Sequence, residues 1–223
     1  MHALWRCFPS LTQKADPLAS SALQPGDLVG VQESKGNQLA VVESLQGSKA
    51  RLKLGFDRKS VVLPQRQLDL ICPLPSGAEL PDGLGASPWH LKAEQLDLSR
   101  LDRRSWGAAW LLLLESGETV EIDFFSDLVC GGTNPSQLAL CWLALMGPQL
   151  WFRYKQDQIK ARSAGELKPL RRQQRLKALE QQIEQRWKKL LSARQQLDLQ
   201  SLPPALSKRL EQLKEVVSGS LEF

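Results

Sequence analysis

A stretch rich in proline and glycine, residues 73–88, divides the chain into two parts with different hydrophobic patterns. This composition does not sustain a helix, and it predicts a linker that we place at residues 75–92. Before the linker, short apolar segments alternate with turns, whereas after it the apolar residues recur with the period of a helix. The change of pattern predicts an α+β protein in which a small β domain precedes a helical domain.

The first part predicts about five short strands. The strand segments are "PGDLVGV", "NQLAVVES" and "SKARLKLG", followed by "KSVVLP" and "QLDLICPL". Short strands at this spacing are typical of a small barrel or sandwich, and we assign residues 24–74 to a small SH3-like or OB-like barrel. In the third segment Lys49, Arg51 and Lys53 alternate with apolar residues and so share one face. That face predicts either phosphate contacts or protection of a sheet edge from pairing with another chain.

The second part, residues 93–164, predicts three helices and then a β-hairpin, which is the element order of a winged helix-turn-helix domain. Asp102 is placed to cap the first helix, and residues 121–130 form the second. Asn134 and Pro135 open the third helix, because proline is favoured at the first helical position. The core is expected to contain Trp106, Trp110, Leu113, Phe124, Leu128, Leu138, Trp142 and Leu145.

The third helix occupies the position of a DNA-reading helix but contains no lysine or arginine. Contacts to bases and phosphates favour Arg, Lys, Asn and Gln, so this helix is a poor reader of a DNA groove. The hairpin after it carries positive charge instead, which favours backbone contact or protein docking over sequence-specific binding. Trp151 and Tyr154 near that hairpin have two interpretations, stacking on a nucleobase or burial, and the pattern favours burial.

Positive charge is concentrated in residues 151–194, where thirteen Lys and Arg face four Asp and Glu, a net charge of +9 against +5 for the whole chain. Such a concentration indicates a surface that meets a polyanion, and nucleic acid is the usual polyanion. The alternative is a solvated helix face that keeps the chain soluble. Much of this charge falls in residues 165–223, where apolar residues at helical spacing predict a basic helical hairpin.

Several other classes of protein are disfavoured. Four cysteines without a C-x-x-C pair, and two histidines, predict neither a zinc site nor a disulfide scaffold, but reduced thiols in a cytoplasmic protein. The longest apolar run, residues 138–146, is far shorter than the ~20 residues that span a bilayer, so no membrane partner is expected. Residues 1–23 lack the apolar core of a secretory signal and predict a flexible leader. Motifs for nucleophilic catalysis and nucleotide binding are absent from the sequence.

Three stretches carry a resemblance to a known family. They are "LVGVQESKGNQLAVVESLQGSKARLKLG", "WGAAWLLLLESGETVEIDFFSDLVCGGTNPSQLALCWLAL" and "QLWFRYKQDQIKARSAGELKPLRRQQRLKALEQQ". In order and content, over roughly residues 28–195, the chain resembles the N-terminal region of the ribonuclease II/R (RNB) exoribonucleases, in the form found in cyanobacteria and chloroplasts. The resemblance implies a role beside RNA, because that family removes nucleotides from RNA 3′ ends.

In that family the cleavage belongs to a downstream catalytic domain, in which clustered Asp residues bind Mg²⁺. This sequence ends at Phe223, where such a domain is expected to follow, and its Asp residues are not clustered. We therefore assign it no catalytic residue and no cofactor of its own, and we expect the chain alone to be inactive, whether it is a fragment or a stand-alone accessory protein. Mg²⁺ is expected only in the missing catalytic domain.

The sequence thus predicts an RNA-binding accessory region of an RNB-type 3′→5′ exoribonuclease, with single-stranded RNA and a catalytic nuclease domain as partners. One alternative is a winged-helix regulator that binds duplex DNA, and another is a protein-docking adaptor. The residues predicted to contact RNA, mostly at phosphates, are Lys49, Arg51, Lys53, Arg153, Lys155, Lys160, Arg162, Arg171, Arg172 and Arg175.

Overall fold

The computed structural model describes residues 22–33, 36–155, 157–192 and 204–217. It confirms an α+β architecture, with antiparallel strands and several helices. The chain forms two compact units, the first reaching Ala161 and the second beginning at Arg162. Residues 1–21 of the predicted leader lie outside the described residues, as do residues 193–203 and 218–223 of the predicted helical hairpin.

The first part of the first unit is a five-stranded antiparallel sheet. The predicted strands are confirmed as β1 (Leu28–Glu33), β2 (Gly36–Gln46), β3 (Lys49–Leu54), β4 (Lys59–Pro64) and β5 (Leu68–Cys72). The strand order is β4-β3-β2-β1-β5, so that β4 and β5 lie at opposite edges, and among the described residues no ladder joins them. Over the described residues the sheet is therefore open and forms no closed barrel, so only the five-stranded antiparallel sheet of the predicted small barrel is confirmed.

Successive side chains of a strand point to opposite sides, and each face of this sheet contributes buried residues. One face forms a core of its own, built from Val29, Val31, Ala40, Val42, Ala50, Leu52 and Leu54. The other face contributes Leu28, Leu39, Val41 and Ile71 to a second core, which also contains the helices.

Helices follow the sheet in the order predicted. They are α1 (Arg103–Ser116), α2 (Ile122–Cys130) and α3 (Pro135–Met146), and they are combined with the strands β6 (Thr119–Val120), β7 (Phe152–Lys155) and β8 (Gln158–Ala161). The Asp102 carboxylate accepts hydrogen bonds from the backbone N–H groups of Arg104 and Ser105, as expected for an N-cap. The short strand β6, which was not predicted from the sequence, pairs with β8 to give a small sheet of order β6-β8-β7.

The contact between Trp142 and Gly30 joins α3 to the large sheet. Trp142 is fully buried, and a Cβ atom built on Gly30 would lie 2.2 Å from its ring. Only a residue without a side chain lets the ring approach β1 so closely. The Trp142 indole N–H donates a hydrogen bond to Oδ2 of Asp69, at 3.0 Å, which fixes the orientation of the ring.

Of the predicted core residues, four are buried (Leu113, Leu138, Trp142 and Leu145), three are partly buried and pack against the core (Trp106, Trp110 and Leu128), and Phe124 lies outside it. Phe124 is 40% exposed, whereas Phe125 is fully buried and packs edge-on against Phe152. The buried residues of α2 are Ile122, Phe125, Ser126 and Val129, so its inward face lies one residue later than the sequence pattern indicated.

The region predicted as a linker contributes to the same core as the helices. Leu84, Trp89 and Leu91 are all buried there, and the Trp89 indole N–H donates to the carbonyl of Gly26 at 3.1 Å. The buried carboxylate of Asp27 accepts a hydrogen bond from the backbone N–H of residue 74, at 2.8 Å. The predicted domain boundary therefore falls inside one compact unit, in which sheet and helices share a core.

The second unit contains α4 (Ala164–Ser192) and α5 (Pro204–Val217), which contact each other. A capping box begins α4, in which Ser163 and Glu166 exchange side-chain and backbone hydrogen bonds. Along the apolar stripe of α4, Leu176 and Leu179 are about half exposed. Within the described part of the chain, no helix combines the length and the apolar character needed to cross a bilayer.

Candidate nucleic-acid interface

The β7–β8 hairpin places three cations on one face of the small sheet. Arg153 lies directly opposite Lys160, and Lys155 lies opposite Gln158. Directly opposed residues of an antiparallel pair point to the same side, and all four of these side chains are exposed. We call these four residues the hairpin face.

The other side of the hairpin is occupied by the core. Phe152 and Ile159 are fully buried, which holds the backbone of both strands in place. Tyr154 is half-buried, and its hydroxyl donates to Oδ1 of Asp157 at 2.8 Å. Burial, with the nearby carboxylates of Asp69 and Asp157, raises the pKa of Tyr154. The Tyr154 hydroxyl therefore makes a hydrogen bond within the protein, and the side chain fits the burial interpretation better than stacking on a nucleobase.

The helix α4 sorts its charges to opposite sides. With 3.6 residues per turn, six cations fall within an arc of about 100°. These six, which we call the cationic face of α4, are Lys168, Arg171, Arg172, Arg175, Arg186 and Lys189, and all are exposed. Glu166, Glu180 and Glu184 fall on roughly the opposite side. Two cations, Lys177 and Lys188, also lie on that acidic side, and Lys188 pairs with Glu184 at 2.9 Å.

The cations on β3 have a different environment. β3 lies between β2 and β4, so Lys49, Arg51 and Lys53 do not protect a sheet edge, and that interpretation of them is wrong. Lys49 and Arg51 are exposed. Lys53 Nζ instead lies 2.6 Å from Oδ1 of Asp82, and the hydrogen bond from Lys53, with the charge of Arg58, lowers the pKa of Asp82. The positive charge of Lys53, which was predicted to contact RNA phosphates, is therefore partly neutralised by Asp82.

The ten predicted contact residues thus fall into separate groups. β3 carries Lys49, Arg51 and Lys53, the hairpin face carries three cations, and α4 carries Arg171, Arg172 and Arg175 on its cationic face. Arg162 is half-buried and precedes α4. The alternation of the hairpin was readable from the sequence, whereas the Lys53–Asp82 pair joins residues 29 positions apart and has no sequence signal.

The helix α3 is excluded as a groove reader by its burial. Leu138, Ala139, Leu140, Cys141 and Trp142 are all buried, as are Ala144 and Leu145. A helix that enters a DNA groove must present a polar face to solvent. This helix is instead part of the protein core.

Two cysteine side chains of the first unit form a thiol–thiol hydrogen bond. The Sγ atoms of Cys130 and Cys141 lie 3.5 Å apart, and their hydrogen bond lowers the pKa of Cys130 to about 7 while it raises the pKa of Cys141. Burial also raises the pKa of Cys141. Among the described residues, no group of three or more His, Cys, Asp and Glu side chains is arranged to hold a metal ion.

Comparison with known proteins yields one distant relative. The chain is 23% identical over 167 residues to a protein named "Uncharacterized ribonuclease sll1290" from Synechocystis sp. (strain ATCC 27184 / PCC 6803 / Kazusa). The match covers 73% of this chain and 23% of that protein, so the chain spans less than a quarter of its relative's length. No family model matches the chain. No solved structure matches it either. The chain is thus distantly similar to part of a protein named as a ribonuclease.

Proposed function

We propose that the chain is an RNA-binding accessory region of an RNB-type 3′→5′ exoribonuclease. The observation that carries the proposal is its similarity to a ribonuclease over less than a quarter of that protein's length. The cations on the hairpin face and on α4 support it, because exposed cations held on rigid elements favour a phosphate backbone. The resemblance assigns bond cleavage to a Mg²⁺-dependent catalytic domain, so the role of this chain is to hold the substrate.

The proposal includes a winged-helix architecture for the helical part of the first unit. The order α1, β6, α2, α3, β7, β8 is that of a winged helix, in which the hairpin is the wing. Burial of α3 leaves the wing as the exposed element. We infer that the wing and the cationic face of α4 contact RNA phosphates without reading base sequence, because the charged groups on these two faces are all cations.

The test compares salt-dependent RNA binding by two variants of equal charge. One replaces the three hairpin cations (Arg153→Gln, Lys155→Gln, Lys160→Gln). The matched control replaces three exposed cations outside the predicted contacts (Lys59→Gln, Arg66→Gln, Arg104→Gln). Binding to a labelled oligouridine of about 12 nucleotides, a length within the usual range of single-strand sites, is measured by fluorescence anisotropy at several KCl concentrations.

Each phosphate contact to a single strand adds about 0.7 to the slope of log affinity against log salt. Loss of three contacts should therefore lower the slope by about 2 and weaken binding about 100-fold at 0.1 M salt. The control should change both quantities much less. Affinity that does not respond to salt, or equal losses in the two variants, would refute the assignment of the hairpin face.

A protein-docking adaptor is the second candidate. The half-exposed Leu176 and Leu179 on α4 favour it, because apolar side chains on a helix beside charged faces suit a protein partner. Charge reversal at three positions (Arg171→Glu, Arg172→Glu, Arg175→Glu) separates the two functions when RNA binding and co-elution with a separately produced catalytic domain are both measured. Unchanged co-elution, with no RNA binding in any variant, would favour the adaptor.

A further inference from the structure

A cleft of about 730 Å³ lies in the first unit beside the start of the hairpin. One wall is formed by Leu98 and Leu101, which precede α1, and by Arg103 and Trp106 at its start. The lining also includes Trp151, which is followed directly by β7. The volume is within the range of small-molecule sites, and the lining is apolar and aromatic with few charged groups.

Both tryptophan rings are held in place by the protein. Trp106 packs edge-on against Phe125 and Phe152, each at a centroid distance of 5.2 Å. Trp151 packs edge-on against Trp110 at 5.3 Å. Rings fixed in advance lose little conformational entropy when a ligand binds, so stacking on them retains most of its favourable free energy.

The polar side chains that line the cleft include Gln149, which forms hydrogen bonds within the protein, and Arg103, which is exposed to solvent. The Gln149 side chain donates to the carbonyls of Leu145 and Phe152 and accepts from the N–H of Phe152, which commits it to the loop before β7. Arg103 is exposed at the first position of α1, where its charge adds to the positive end of the helix dipole. The cleft therefore combines aromatic walls with a cation at its rim.

We propose that this cleft receives a nucleobase of a single-stranded RNA whose phosphates follow the hairpin face. The inference rests on the proposed function. Trp151 lies two residues before Arg153 in the chain, so the aromatic wall leads directly into the row of hairpin cations. An unpaired nucleotide carries both a flat apolar base and an anionic phosphate, and bases stack on aromatic side chains in sites of this kind. An apolar peptide would use the tryptophans but not the cations.

The experiment compares two RNA probes of equal charge. One is an oligouridine of about 12 nucleotides, and the other has the same length and phosphates but abasic sugars throughout. We expect the protein to bind the oligouridine about 5- to 150-fold more tightly, the range measured for stacking of one base on an aromatic side chain. Both affinities are measured against salt concentration.

Two variants remove the site by different routes. Trp151→Leu keeps the apolar volume but removes the stacking face, and Ser99→Trp fills the cleft from an exposed position on its rim. Each should abolish the preference for bases while leaving the salt slope unchanged. Trp187→Leu, at a half-buried tryptophan of the second unit, is the matched control and should keep the preference.

The outcomes separate the cleft from the wider proposal. Equal binding of the two probes with a steep salt slope would refute the base site and leave phosphate binding intact. Failure of both probes to bind would overturn both. Loss of the preference in Trp187→Leu, or its retention in both cleft variants, would locate base recognition outside the cleft and refute the inference.

Discussion

The contact between Gly30 and Trp142 predicts a large effect of a very small substitution. Gly30→Ala would place a Cβ atom 2.2 Å from two atoms of the Trp142 ring and 2.6 Å from a third. The fully buried ring cannot move aside without losing its hydrogen bond to Asp69. Overpacking of a core costs about 1–3 kcal/mol, and the weakened hydrogen bond adds about 1 kcal/mol, so we expect a loss of about 3 kcal/mol.

The measurement is thermal unfolding followed by far-UV circular dichroism and by tryptophan fluorescence. For a chain of this size a loss of 1 kcal/mol lowers Tm by about 2–4 °C, so Gly30→Ala should lower it by about 6–12 °C. Both signals should move together, because β1 and α3 contribute to one core. Two separated transitions would contradict the shared core.

The controls isolate the clash from the general effect of replacing glycine. In Gly85→Ala the new Cβ would lie 3.7 Å from the backbone oxygen of Leu91, an ordinary van der Waals contact, so the stability should change by less than about 0.5 kcal/mol. In the double variant Gly30→Ala/Trp142→Leu the smaller side chain makes room, so the combined loss should be smaller than the sum of the single losses. A Gly30→Ala variant as stable as Gly85→Ala would refute the packing argument.

Three further predictions concern ionisable groups of the first unit. Burial raises the pKa of Asp69, so the folded state binds this proton more tightly than the unfolded state, and the free energy of unfolding falls as pH rises through that pKa. Asp69→Asn should flatten the dependence of Tm on acidic pH, because the amide does not titrate, while its oxygen can still accept the hydrogen bond from Trp142. Asp102→Ala removes the acceptor at the start of α1 and should cost about 1 kcal/mol in urea denaturation. Iodoacetamide should label Cys130 before Cys141, at a rate that rises with pH around the Cys130 pKa of about 7, as followed by peptide mass spectrometry; equal labelling would contradict the assignment.

Local signals were sufficient to predict the helices and strands. Asp102 and the Asn134–Pro135 pair mark helix starts through hydrogen bonds and backbone geometry that depend on neighbouring residues alone. The strands of the large sheet followed from their alternation and turns. The position of Phe124 was missed because two adjacent phenylalanines fit a helical period almost equally well, and packing against Trp106 selects Phe125.

Long-range contacts explain what the sequence did not reveal. Proline and glycine in residues 73–88 predicted a linker, but Leu84 and Trp89 find buried positions that depend on the distant sheet. The hairpin face followed from alternation, whereas Lys53 meets its carboxylate across 29 residues of chain. The cleft was not predictable either, since Trp106 and Trp151 come together only in the folded chain.

The shared core also determines where the polypeptide can be cut. A fragment that stops near residue 75 would retain every strand of the large sheet, yet Leu39, Val41 and Ile71 would lose the helical layer that shields them from water. An apolar patch uncovered in this way promotes self-association. Shortened versions of this protein should therefore keep residues 24–161 together, and the natural point of division follows the small sheet instead of the proline-rich segment.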